Sequence, residues 1–174
     1  MICRRKNRTV RIILILIDME KKFELTDKFV FNTFGIKLFQ IKCTKSFKYA
    51  KEGDLGGYVE KDENLDQESN AWVYGDAWVY GNARVSGDAR VYGDADIEND
   101  NNHCGFDCFG SCNRHTHAYL TKDNKVEITC GCFRGSIEEF EKKVEKTHSG
   151  TIYEKQYKAI INVIKIKFGL TDLI

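Results

Sequence analysis

Hydrophobic positions recur every six residues in the middle of the chain. Each unit opens on a small alanine, at Ala71, Ala77, Ala83, Ala89 and Ala95. A β-branched residue follows two positions later, and Gly with Asp or Asn closes the first four units as a turn. Because one unit cannot bury its own β-branched residue, successive units must stack. The pattern predicts a short parallel β-helix over residues 59–100.

The residues before the repeat alternate in a way that is typical of strands. A turn is predicted at residues 32–35, and residues 36–45 then follow as a half-buried strand with apolar side chains on one face. Gly53, Gly56 and Gly57 indicate a loop that leads into the repeat. We therefore expect residues 19–58 to form a β-rich lead-in.

After the repeat, residues 101–174 predict an α+β cap of one hairpin and two helices. The hairpin spans residues 118–130, with its turn at Asp123 and Asn124. Ser136 and Glu139 form a capping box that opens the first helix, and the second helix runs from about Tyr153 to Gly169. These elements can close one end of a repeat array, which needs such caps to avoid pairing edge to edge. The predicted fold class is mainly β.

The first eighteen residues differ in composition from the rest. They carry five basic side chains and one acidic one, so that 22 basic and 25 acidic residues remain from Met19 onward. A mildly acidic body lacks the basic surface of a general nucleic-acid-binding protein. The apolar run at residues 12–17 is far shorter than the ~20 residues of a membrane helix, and no signal-peptide cleavage site follows it. Residues 1–18 are therefore predicted to be an extension, with Met19 as the working start.

The repeat resembles the left-handed parallel β-helix of hexapeptide-repeat proteins, and the handedness is implied by that resemblance alone. Three units form one coil in that family, so the resemblance also implies that residues eighteen apart lie beside each other. The flanking segments at residues 54–60 and 129–136, with Glu139 and Phe140, resemble small proteins of bacteriophages and prophages. Such proteins have no known reaction, and they include candidates for countering host defences, as anti-CRISPR proteins do. The resemblance implies a cytoplasmic protein in a bacterial host.

Large side chains between the buried repeat positions are predicted to form an outward-facing surface. Trp, Tyr and Arg dominate interface energies, and contiguous exposed aromatic residues usually mark an interface. The predicted partner-binding residues are Trp72, Tyr74, Trp78, Tyr80, Arg84, Arg90 and Tyr92. A foreign protein and further copies of the same chain both fit this surface, so a protein partner and a homo-oligomer are expected.

Seven cysteines, an odd number, do not indicate a secreted disulfide framework. The candidate zinc ligands are Cys104, Cys108, Cys112, His115 and His117. Zinc prefers four thiolate or imidazole ligands, but the paired CxxC knuckles of zinc fingers are missing. The cysteines fit better as small apolar residues in a packed loop, which predicts no cofactor.

The sequence thus predicts a non-enzymatic protein-binding scaffold that acts on a host or defence protein. A zinc-stabilised binding module is one alternative. A relic of the hexapeptide-repeat acyltransferases is another, although those enzymes use a histidine base and all four histidines lie outside the repeat.

Overall fold

A computed structural model describes residues 21–170 of the chain. The predicted extension at residues 1–18 and the candidate start at Met19 lie outside the described residues. Within them the chain forms three separate β-sheets and two α-helices. Two larger hydrophobic cores hold these elements together, one around the repeat and one beneath the helices.

The lead-in forms an antiparallel arrangement of three strands: β1 (Phe23–Phe31), β2 (Lys37–Cys43) and β3 (Leu55–Val59). The predicted turn between β1 and β2 is confirmed, since the Gly35 amide donates to the Asn32 carbonyl at 3.0 Å. The Asn32 side chain also accepts hydrogen bonds from the backbone of the turn. The predicted strand at residues 36–45 is confirmed as β2.

The repeat contributes four strands of two residues each: β4 (Trp72–Val73), β5 (Trp78–Val79), β6 (Arg90–Val91) and β7 (Asp96–Ile97). β4 pairs in parallel with β6, and β5 with β7, so that residues eighteen apart are neighbours as predicted. The repeated alanines and β-branched residues are all buried, also as predicted. The glycine of each predicted turn has a positive φ, for example +58° at Gly75.

The predicted fold class, a mainly β protein built on a left-handed parallel β-helix, is wrong. The described residues form a mixed fold with sheets of five, four and two strands, and none of these sheets closes or continues as a solenoid. The repeat strands are divided between two sheets. β4 and β6 form the two-stranded sheet, while β5 and β7 extend the lead-in to give the order β1-β2-β3-β5-β7.

The small number of units explains this outcome. With residues eighteen apart paired, each repeat strand meets only one other repeat strand, so the flanking segments supply the remaining sheet partners. The unit around Val85 makes only an isolated bridge to Leu65. A regular solenoid sheet depends on many stacked units, because each unit contacts only its neighbours.

The C-terminal part contains a four-stranded antiparallel sheet: β8 (His103–Phe109), β9 (Arg114–Leu120), β10 (Val126–Cys130) and β11 (Phe133–Ser136). Its strand order is β11-β10-β9-β8. The predicted hairpin is confirmed as β9 and β10. The prediction of a packed loop around the cysteines is wrong, because the segment with Cys104 and Phe106 forms β8 and pairs with β9.

Two α-helices cover one face of this sheet: α1 (Ile137–His148) and α2 (Ile152–Lys167). Both were predicted, and the capping box of Ser136 and Glu139 is present at the start of α1. Their buried apolar residues, with those of the sheet, form the second core. Among the described residues, no helix has the length and apolarity that crossing a membrane requires.

The four-stranded sheet packs against the repeat with its other face. Tyr119 on β9 is fully buried and belongs to the core around the repeat. The Thr129 hydroxyl donates to the Arg90 carbonyl at 3.2 Å, and the Lys122 amide donates to the Asp94 carbonyl at 2.7 Å. The end of the repeat is therefore joined to the C-terminal sheet by backbone and side-chain contacts.

Candidate functional site

The stacking of the repeat places the predicted aromatic and arginine residues in pairs. Trp72 lies beside Arg90 in the register of β4 and β6. The rings of Tyr74 and Tyr92 stack with their centres 4.3 Å apart and their planes within 6°. Both pairs were predicted from the spacing of eighteen residues.

The predicted exposure of Trp72 and Tyr80 is wrong, because other parts of the chain cover both side chains. Trp72 is 1% exposed and contacts Phe23 and Phe47, with ring centres 6.5 and 5.5 Å away. Tyr80 is 3% exposed and packs in a small cluster with Leu38. The hairpin of β1 and β2 and the loop after it supply this cover, so these aromatic residues belong to the core.

The other predicted partner-binding residues do not form one continuous surface. Trp78 is half-buried, and the Lys122 ammonium lies 3.7 Å from the centre of its ring. The Arg90 guanidinium donates to the Gly131 carbonyl and lies over the Tyr49 ring. Arg84 is exposed and pairs with Asp66. Tyr74 and Tyr92 are half-buried. Contacts within the chain therefore use much of the predicted surface.

A cluster of exposed phenylalanines lies instead on the hairpin of β1 and β2. We call Phe29, Phe31, Phe34 and Phe39 the phenylalanine patch. Phe29 contacts both Phe31 and Phe39, with ring centres 5.5 and 6.4 Å apart. Phe29, Phe31 and Phe34 are 44%, 61% and 77% exposed, and Phe39 is half-buried.

The hairpin's length beyond the core explains why these rings are exposed. Near its base, Phe23 pairs with Cys43 and Leu25 with Ile41, and their side chains pack in the core around the repeat. Phe29 pairs with Phe39 further along the same face, where the repeat no longer covers the hairpin. Alternation along a strand then places Phe31 beside Phe29.

A single cation accompanies the patch. The Lys37 ammonium lies 3.9 Å from the centre of the Phe29 ring and 4.6 Å from that of Phe39. Such a cation–π contact contributes about 0.5–1 kcal/mol at an exposed site. The patch therefore combines apolar area with one positive charge. The short apolar segment at residues 29–31, directly before the predicted turn, is the sequence signal that could have located it.

The predicted zinc ligands are not brought together. Cys104 packs against the core beneath the helices, whereas His115 and His117 project from the opposite face of the same sheet. Cys108 and Cys112 are exposed near the turn between β8 and β9. Within residues 21–170, no group of three or more His, Cys, Asp or Glu side chains is placed to hold a metal ion.

Three histidines instead form a row between the C-terminal sheet and the repeat. His103 Nδ1 lies 3.1 Å from His117 Nε2, and His115 Nδ1 lies 2.5 Å from an oxygen of Asp107. Burial and the neighbouring charges of His103 and His115 hold the pKa of His117 well below its usual range. Burial also lowers the pKa of His103, against the opposing effect of Asp100. Burial therefore favours the neutral imidazole at His103 and at His117.

A cleft of about 490 Å³ opens where the turns of the C-terminal sheet meet the repeat and the lead-in loop. Arg114 lies on its wall between Cys112 and Cys132, and Lys48 and Asp88 form an ion pair on the opposite side. A smaller cavity of about 210 Å³ lies on the helix side of the same three residues.

No protein-family model matches the chain, and no curated protein is significantly similar to it. The resemblance to hexapeptide-repeat proteins and to phage proteins therefore rests on the sequence motifs alone, and it stays a prediction.

Proposed function

We propose that this protein is a protein-recognition module that binds its partner through the phenylalanine patch. The observation that supports the proposal is the contiguity of Phe29, Phe31 and Phe39, three rings in contact on a hairpin that projects beyond its core. Contiguous exposed aromatic residues on a folded domain usually mark an interaction surface. The proposal keeps the predicted function, protein binding, and moves it from the repeat to the hairpin.

The energetics favour a protein ligand. Complete burial of a phenylalanine side chain contributes about 1.5–3 kcal/mol. Phe31 and Phe34 are more than half exposed, so both have most of this contribution still available to an interface. Aromatic residues also cluster at the centres of interfaces, where they supply most of the binding free energy.

The geometry indicates how the partner docks. β1 is the outer strand of the five-stranded sheet, but its pairing with β2 is irregular between Leu25 and Phe29. A bulge of this kind twists a strand edge and disfavours the addition of another strand. The partner therefore packs on the face of the hairpin that carries the rings, rather than along its edge.

The charge at the patch defines the partner further. Lys37 lies over two of the rings. An apolar segment that carries an acidic residue would satisfy both the rings and Lys37. We therefore infer that the partner presents an apolar segment with a carboxylate beside it. A host or defence protein as that partner, which the resemblance implies, stays a prediction.

The test compares wild-type protein with a Phe29→Ser, Phe31→Ser double variant in affinity capture from a bacterial lysate. We expect the wild-type protein to retain a stoichiometric partner and the double variant to lose it at least tenfold. Replacing Lys37 with Glu should weaken the same complex, because it opposes the partner's carboxylate.

The matched control is Ile152→Ser, since Ile152 is as exposed as Phe31 and lies on the distant α2. Equal capture of one partner by the wild-type protein and the double variant would contradict the proposal. Light scattering on the purified proteins tests whether a second copy of the chain, rather than a foreign protein, covers the patch. A wild-type oligomer that the double variant cannot form would show that a second copy covers the patch instead.

A further inference from the structure

Two exposed cysteines lie on adjacent turns of the C-terminal sheet. Cys112 is in the turn between β8 and β9, and Cys132 is in the two-residue turn between β10 and β11. Cys130 pairs with Thr116 in the ladder of β9 and β10. The ladder ends at this pair, so the turn that holds Cys132 follows directly, at the end of the sheet where β9 begins with Arg114.

The side chain of Arg114 lies between the two thiols. Its guanidinium interacts with both: the negative charge of the Cys112 thiolate raises the pKa of Arg114, and so does a hydrogen bond with the Cys132 thiol. Arg114 therefore lies close to both cysteines, and all three residues line the same cleft.

Both thiols are accessible to small molecules. Cys112, Arg114 and Cys132 line the 490 Å³ cleft on one side and the 210 Å³ cavity on the other. Cys104, by contrast, is partly buried against the helices, and burial raises its pKa to about 11. Cys43 is buried, and desolvation raises its pKa. Cys104 and Cys43 should therefore react with an oxidant more slowly than exposed thiols do.

We propose that Cys112 and Cys132 form a reversible disulfide when the protein meets a hydroperoxide. One thiolate attacks the terminal peroxide oxygen, which breaks the O–O bond, forms a sulfenic acid and releases water or an alcohol. The second thiol then attacks the sulfenic sulfur, forms the S–S bond and releases water. Two thiols are oxidised and one peroxide is reduced. A small-molecule thiol reverses the reaction by exchange.

The bond requires the two turns to bring their Cα atoms to about 4.4–6.8 Å, the distance that a disulfide spans. Both cysteines lie in turns, where the backbone moves more easily than in the ladder. Formation of the disulfide would displace the Arg114 guanidinium from its place beside the thiols. It would also join the two turns, which contribute to the lining of the 490 Å³ cleft.

The test treats the reduced full-length protein with hydrogen peroxide, alkylates the remaining thiols and maps tryptic peptides by mass spectrometry. Cleavage leaves Cys112 in peptide 91–114 and Cys132 in peptide 126–134, so a bond between them joins two peptides. We expect this joined species to form, with fragmentation assigning Cys112 and Cys132. Dithiothreitol should then release both peptides.

Three single variants make the test specific. Cys112→Ser and Cys132→Ser should each abolish the joined species. Cys108→Ser is the matched control, since Cys108 is also exposed and lies in the same peptide, and it should leave the bond unchanged. The proposal would be overturned by sulfinic acids at Cys112 and Cys132 without a bond between them. A disulfide that links either residue to another cysteine would overturn it too.

Discussion

Trp72 and Trp78 occupy the same position in consecutive repeat units, yet their surroundings differ. Trp72 is 1% exposed because Phe23 and Phe47 pack against its ring. Trp78 is half-buried at the edge of the small cluster that holds Tyr80, with Lys122 over its ring. The repeat unit has the same sequence from the alanine to the glycine at both residues, so it could not distinguish them. The difference arises from tertiary packing, because Phe23 of β1 and Phe47 in the loop after β2 close over Trp72.

A first prediction concerns these two residues. Trp72→Ala should lower the free energy of unfolding by about 3–5 kcal/mol, because it leaves a large cavity in the core. Trp78→Ala should lower the free energy of unfolding by clearly less, since the Trp78 ring is only partly removed from water. Urea unfolding followed by circular dichroism measures both. Equal losses for the two variants would contradict the difference in burial that the structure shows.

At the scale of elements, prediction succeeded where the periodicity of a segment matched its burial. α1 and α2 have an apolar face with helical spacing and a cap of their own. β8 was missed because Cys104 and Phe106 face the helices while glycine and aspartate occupy the other face. That pattern does not look like a strand until the helices that cover it are known.

A second prediction tests the start of α1. The Ser136 side chain accepts a hydrogen bond from the Glu139 amide, and the Glu139 side chain accepts one from the Ser136 amide at 2.8 Å. Ser136→Ala should therefore lower the free energy of unfolding by about 1 kcal/mol. Ser149→Ala, at the opposite end of the same helix, is the control. A smaller loss for Ser136→Ala than for Ser149→Ala in urea unfolding would contradict the role of the cap.

At the scale of the whole molecule, the histidine row lies where the C-terminal sheet meets the repeat. The pKa of His117 is well below 6.5 in the folded protein, with burial as the main cause and His103 and His115 adding to it. Unfolded histidine titrates near pH 6.5. The unfolded state therefore binds the proton first as the pH falls. Burial lowers the pKa of His103 as well, and Asp100 opposes that effect.

A third prediction follows for the pH dependence of stability. The free energy of unfolding should be unaffected by His117 above about pH 7.5. It should fall as the pH decreases through 6.5 towards the folded-state pKa, by up to about 1.4 kcal/mol per pH unit for one histidine. Urea unfolding between pH 5 and 8 measures the slope. His117→Gln should flatten it, whereas His148→Gln, outside the row, serves as the control. An unchanged slope in His117→Gln would contradict the role of His117.

The sequence by itself determined the buried positions of the repeat, the turn glycines and the two helices. Each depends on local periodicity or on a cap within a few residues. Only the tertiary structure decided that the repeat strands separate into two sheets, that Trp72 and Tyr80 are covered, and that the phenylalanine patch is exposed. These features depend on how distant segments pack, and no local pattern specifies that packing.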